Sequence, residues 1–90
     1  MLLNEVTRIE LENIVLEIIH NITGNIDINN NTQIIAKTIS SFNYMQLIVE
    51  LEDKFDIEFD SHKLEYMSFY NVSALLDYTW QLFSRGDAAN

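Results

Sequence analysis

The stretch from Ser40 to Asp56 reads as a helix with two apolar faces, and this constrains the rest of the chain. At about 100° per residue, Tyr44, Leu47, Ile48, Leu51 and Phe55 fall on one arc. Phe42, Met45 and Val49 fall on a second arc, roughly opposite, edged by Gln46, Glu52 and Asp53. Asn43, Glu50 and Lys54 fill the remaining wet side. A small domain has one core, so only one apolar face can be used internally. The other is left over for a partner or a ligand.

The flanking sequence supports a helical reading. Leu11, Ile14, Val15, Ile18, Ile19 and Ile22 repeat as a single helical stripe, which predicts a first helix from about Asn4 to Asn21. Thr7 and Glu10 have the spacing of a capping box, and Gly24 sits where a helix stop belongs. From Thr23 to Ser40 there is no period. Asn25, Asp27, Asn29, Asn30 and Asn31 are turn formers, and Ile26, Ile28, Ile34, Ile35 and Ile39 are expected to tie a long loop to the core. After the central helix, Ile57 to Phe59 reads as extended. Asp60 or Ser61 can cap a brief third helix reaching about Met67, with Phe69 and Tyr70 as plugs in the next turn. Asn71 is a good cap for a last helix whose stripe is Val72, Leu75, Leu76, Thr79 and Phe83, with Trp80 beside it. No strand able to build a sheet is expected, and residues 84–90 read as a fraying tail.

Composition narrows the classes of function. The chain has 90 residues, 48% of them hydrophobic and 21% charged, which suits one globular domain. Its formal charge is -9, from 14 acidic and 5 basic residues. Nucleic acid and anionic membranes would repel such a chain, and basic protein surfaces would attract it. There is no cysteine, which removes disulfides, thiolate nucleophiles and thiolate metal sites. No apolar run is long enough to span a bilayer, and the N-terminus lacks a basic segment ahead of an apolar one. A cytoplasmic, monomeric protein is the expectation. The Asn-x-Ser/Thr triplets at Asn21, Asn30 and Asn71 then carry no meaning.

Few residues offer chemistry. His20 and His62 lie far apart, with no nucleophile or metal spacing around them; His20 reads as a partner for a helix C-terminus and His62 as solvent-facing. Asp27-x-Asn29-x-Asn31 begins like a calcium loop. Thr32 stands where the loop needs glycine and Thr38 where it needs a bidentate glutamate, which excludes it. No glycine-rich phosphate loop is present. A hydrolase built on Ser41 would lack a nearby base. Ser40 and Ser41 both suit a helix N-cap. Ser41 stands out because it ends a long loop and begins the helix that carries the leftover, acid-edged apolar patch.

From Ser41-Phe42, and then from Gln46 through Leu47-Ile48-Val49-Glu50-Leu51-Glu52-Asp53-Lys54-Phe55-Asp56-Ile57-Glu58-Phe59, the chain resembles the acyl carrier and peptidyl carrier proteins. Their pattern is Asp-Ser-Leu and then Glu-Leu-Val-x-x-Leu-Glu-Glu-x-Phe-x-Ile-x-Ile. The likeness continues through Leu64 and Phe69 to Val72, Leu75 and Asp77-Tyr78. It implies an all-α fold, a four-helix bundle with three main helices, one short third helix and a long first loop. Residues 1–83 would form a single carrier domain. It also implies a 4′-phosphopantetheine arm on Ser41, placed by a phosphopantetheinyl transferase using coenzyme A. The arm would carry acyl or aminoacyl groups as thioesters. A loading ligase or adenylation enzyme and a downstream synthase or transferase would be the other partners, docking on Phe42, Met45, Gln46, Val49, Glu52 and Asp53. The protein itself would not be an enzyme.

The chain departs from the family where Leu-Gly-x-Asp usually precedes the serine: it has Lys37-Thr38-Ile39-Ser40, with Phe42 for leucine and Gln46 for glutamate. These changes point to a dedicated carrier in a specialised pathway (polyketide, nonribosomal peptide or related) rather than housekeeping fatty-acid synthesis. The alternative is an unmodified helical module that binds proteins through the same patch.

Overall fold

The computed structural model describes residues 6–85, and among them the order is three α-helices with one 3₁₀ turn. The start expected near Asn4 lies outside the described residues. Helix α1, Arg8–Thr23, begins at Thr7, whose hydroxyl accepts the Glu10 amide while the Glu10 carboxylate takes the Thr7 amide. That box satisfies two of the amides every helix start leaves without an internal acceptor. Gly24 ends α1 in the left-handed conformation, φ 72°, and its amide closes on His20. Helix α2 is Ser41–Phe55 and α3 is Val72–Arg85. Ser84 and Arg85 thus belong to α3, two residues further than the sequence stripe suggests.

Helix α1 packs against both α2 and α3. Leu11, Val15 and Ile19 form its buried line, with Ile14, Ile18 and Ile22 half-buried beside it. Helix α2 contributes Tyr44, Leu47, Ile48, Leu51 and Phe55, the arc expected from its periodicity. Helix α3 contributes Val72, Leu75, Leu76, Thr79 and Leu82. Leu82 rather than Phe83 completes this stripe. Phe83 sits at the core margin, edge-on to Phe55 and beside Trp80. Thr79 is the buried polar residue here, and it returns its hydroxyl to the Leu75 carbonyl.

The segment between α1 and α2 is held by side chains and by backbone bonds to residues 70–73, among them Ser73 donating to the Asn30 carbonyl. Asn25 and Asn29 cap their own turns by accepting the amides of Asp27 and Asn31. Ile28, Ile34 and Ile39 are buried, while Ile26 and Ile35 are exposed. Gln33 pairs with Asn71 in an isolated antiparallel bridge, where Ile34 donates to Tyr70 and Val72 to Thr32. Among the described residues this bridge is the only extended pairing, so no sheet forms.

After α2, Asp56 turns the chain through a left-handed residue, φ 53°. Ile57 and Phe59 then bury their side chains from a stretch with no regular secondary structure. The helix expected to reach Met67 is shorter, a single 3₁₀ turn at Ser61–Leu64 whose His62 amide donates to the Asp60 carboxylate. It stops because Glu65 is extended and Met67 adopts φ 67°, which a continuing helix cannot hold. Phe69 is a buried plug as expected. Tyr70 is not, since the Gln33–Asn71 pairing turns it outward, where its hydroxyl meets the Gln33 side chain. Asn71 caps α3 by accepting the Ala74 amide.

Candidate functional site

Ser40 and Ser41 have separate jobs. Ser40 is the N-cap of α2, extended at φ -68° and ψ 167°, and its hydroxyl accepts the Asn43 amide at 3.1 Å. Ser41 is the first helical residue and is exposed. Among the described residues nothing hydrogen-bonds its hydroxyl. The ground beneath the pair is firm. Ile39 is buried and its carbonyl accepts the Tyr66 hydroxyl. The Thr38 hydroxyl closes the preceding turn on the Gln33 and Ile35 carbonyls.

The second apolar arc of α2 is open to solvent. Phe42 is 71% exposed, Val49 59% and Met45 46%. With Gln46 and Glu50 they line a shallow hollow of about 410 Å³. Ser41, Met45 and Val49 are spaced i, i+4, i+8, so the hydroxyl heads the same row that forms one wall. At about 1.5 Å per residue the row runs about 12 Å from Ser41 to Val49.

The edge of the hollow differs from the sequence expectation. Glu50, assigned there to the wet side, lines it. Asp53 is exposed further along the helix. Glu52 sits on the edge nearest the core, where the turn at Asp56 brings the chain back to it. Its carboxylate accepts the Phe59 amide at 2.8 Å, and its carbonyl accepts the Ile57 amide. Periodicity cannot foresee this, because the Phe59 amide arrives through a tertiary turn. Phe42, Met45, Gln46 and Val49 therefore come together, and Glu52 does not join them.

Two tyrosines form a second feature that the sequence did not mark. Tyr44 is fully buried, and its hydroxyl donates to the Lys63 carbonyl at 2.6 Å, with Ser68 Oγ at 3.2 Å. Burial raises the Tyr44 phenol above its ordinary 10.0, against a smaller opposing pull from Ser68. Tyr66 stands edge-on to it, ring centres 5.8 Å apart. The available signal was a tyrosine in a core stripe, since a buried phenol needs a partner.

No family model, curated protein or solved structure matches the chain. The chemistry must therefore be read from the residues. The histidines offer none together: His20 Nε2 donates to the Ile28 carbonyl at 2.9 Å, whereas His62 is in solvent beside Asp60. Among the described residues no cluster of His, Asp and Glu could hold a metal ion, and no helix is long and apolar enough to cross a membrane. What remains is an unengaged hydroxyl at a helix N-terminus. The free amides and dipole there favour a phosphate. The apolar hollow begins at the next residue.

Proposed function

We propose that the protein is an acyl or aminoacyl carrier modified at Ser41, presenting its cargo to enzymes that dock on α2. The observation that carries this reading is the row Ser41, Met45, Val49: an exposed, unengaged hydroxyl at the head of an exposed apolar strip. The residues suit a phosphopantetheine phosphate. Ser41 Oγ is exposed, and Ser40 takes the Asn43 amide, leaving the first amides of α2 without an internal acceptor. Ser40 keeps the cap that the family's aspartate would supply.

In modification, Ser41 Oγ attacks phosphorus in coenzyme A. The diphosphate bond breaks, adenosine bisphosphate leaves, and the hydroxyl proton passes to a base on the transferase. The arm supplies a thiol that holds the cargo as a thioester. The chain's own residues do the rest: Ser40 and Ile39 fix the attachment point, and Phe42, Met45 and Val49 offer contact area. Glu50 and Asp53 favour basic partners, since charge at the rim of an interface sets encounter rate and partner choice more than affinity. This suits enzymes that must bind briefly and release. In this proposal the all-helical chain is a carrier-type bundle in which the 3₁₀ turn takes the place of the short third helix.

Intact mass tests the proposal. The chain is incubated with coenzyme A and a broad-specificity phosphopantetheinyl transferase, beside Ser41→Ala and Ser40→Ala. The expected result is a gain of one phosphopantetheine in the wild type and in Ser40→Ala, and none in Ser41→Ala. No gain on folded protein with several transferases would reject the carrier reading in favour of an unmodified docking module.

A further inference from the structure

If a group is carried at Ser41, the packing beside it bears on what that group can be. An apolar cargo in water seeks burial, and the protein core is the largest apolar volume within reach. Tyr44 is the first buried side chain of α2 and the i+3 neighbour of Ser41 on the helix surface. It is tied down in two directions. Its hydroxyl donates to the Lys63 carbonyl and contacts Ser68 Oγ, which itself donates to Lys63. In the opposite sense, Tyr66 reaches back from that segment to the Ile39 carbonyl, two residues before Ser41. The start of α2 and residues 63–68 are thus cross-tied from both sides. Parting them to admit a chain would break both ties and leave part-buried polar groups unpaired, which costs free energy. The anchoring segment is itself held, since Phe69 is buried against Phe59 and Tyr78, with Lys63 Nζ over the Phe69 and Tyr78 rings.

We propose that Tyr44, cross-tied to residues 63–68 through Lys63, Ser68 and Tyr66, keeps the carried group out of the core, so that the protein carries short or polar groups of the aminoacyl or small-acyl class rather than long alkyl chains. This rests on the carrier reading of Ser41. A long alkyl chain would be left in water or on the α2 hollow, where it would obstruct the surface that partners need. A short or polar group has no such conflict.

The test needs no transferase. The chain has no cysteine, so Ser41→Cys supplies a single thiol, which is labelled with ethyl or dodecyl methanethiosulfonate. Methyl resonances of Leu47, Ile48, Leu75 and Leu76 report the core, and those of Met45 and Val49 report the hollow. The expected result is that the core methyls are the same with either label. Dodecyl-dependent shifts of the core methyls would overturn the proposal. Tyr44→Leu in the same background is expected to let dodecyl, and not ethyl, move them. Where that variant does not fold, the double variant Tyr44→Phe, Tyr66→Phe keeps both rings and removes both ties, with the same expectation. A core as closed in the variants as in the parent would remove Tyr44 from the role. Failure of Ser41 to accept phosphopantetheine is a separate result, read by mass, and would count against the carrier reading alone.

Discussion

At the scale of single residues, Ser40 and Ser41 divide one task that either could have performed. The cap belongs to Ser40 because its extended backbone aims its hydroxyl at the Asn43 amide. Ser40→Ala is expected to cost about 1 kcal/mol. In a domain of this size that lowers the melting temperature by about 4–8 °C. Ser41→Ala is expected to stay within about 0.5 kcal/mol of wild type, because its hydroxyl supports nothing in the fold. Urea melts of the two variants side by side measure the difference, and a larger loss for Ser41→Ala would exchange the roles. Tyr44 gives a pH prediction. Burial holds its phenol above the 10.0 of an exposed tyrosine, so the unfolded chain gives up this proton first. Its contribution is complete below pH 10 and is lost as pH rises through the higher folded value. The urea midpoint of the wild type should fall in that window, and Tyr44→Phe should lack that component of the fall.

At the scale of the element, α2 works as a two-sided helix. Its inner arc is buried to the last side chain, whereas its outer arc stays wet. Leu51→Ala, on the inner arc, is expected to cost about 2–5 kcal/mol through lost contacts and the cavity left behind. Val49→Glu, on the outer arc two residues away, is expected to change stability by less than about 0.5 kcal/mol. The same substitution should cut phosphopantetheine transfer to Ser41 several-fold, read as initial rate by mass. If Val49→Glu melted the protein as Leu51→Ala does, the outer arc would be core. The reassignment of Glu52 belongs to this scale too. Its carboxylate is occupied by the Phe59 amide, so Glu50 and Asp53 are left to present charge beside the apolar strip.

At the scale of the whole molecule, the 90-residue chain carries a formal charge of -9. Half of the acidic residues fall between Glu50 and Glu65, directly after the site in sequence. The few cations are partly committed: Arg8 bridges Glu12 on its own helix and Asp77 on α3, and Lys63 lies over two rings. The proposed encounter with basic enzymes is therefore expected to be salt-sensitive. The kcat/KM of a phosphopantetheinyl transferase on this chain should drop several-fold between about 0.01 M and 0.15 M salt, as the screening length shrinks from about 30 to about 8 Å. Its kcat should change little, because screening acts on approach rather than on the bonded step. A salt-independent kcat/KM would mean that the acidic surface plays no part in recognition.

The sequence by itself determined the three main helices to within a few residues, the cap at Asn71 and which arc of α2 is buried, and it displayed the Thr7–Glu10 box without choosing it over a start near Asn4. Those features depend on neighbours within a turn or two, and the helical period displays them directly. It also set apart Ser41 and the strip Phe42, Met45, Val49, because an apolar arc in excess of one core is visible in the pattern alone. Only the tertiary structure decided what long-range contacts control. It gave the cap to Ser40, sent the Glu52 carboxylate to Phe59, turned Tyr70 outward and kept the third helix to one turn. It also joined Tyr44 to the Lys63 carbonyl and Tyr66 to the Ile39 carbonyl. The Ser40 cap and the short third helix were decided by local backbone angles that no pattern of side chains displays. The bonds of Tyr44, Tyr66, Tyr70 and Glu52 join residues 7 to 37 apart in sequence, with no period to announce them. Their positions follow from how α1, α2 and α3 pack, and that packing is where a repeated pattern of apolar residues becomes one particular arrangement of polar atoms.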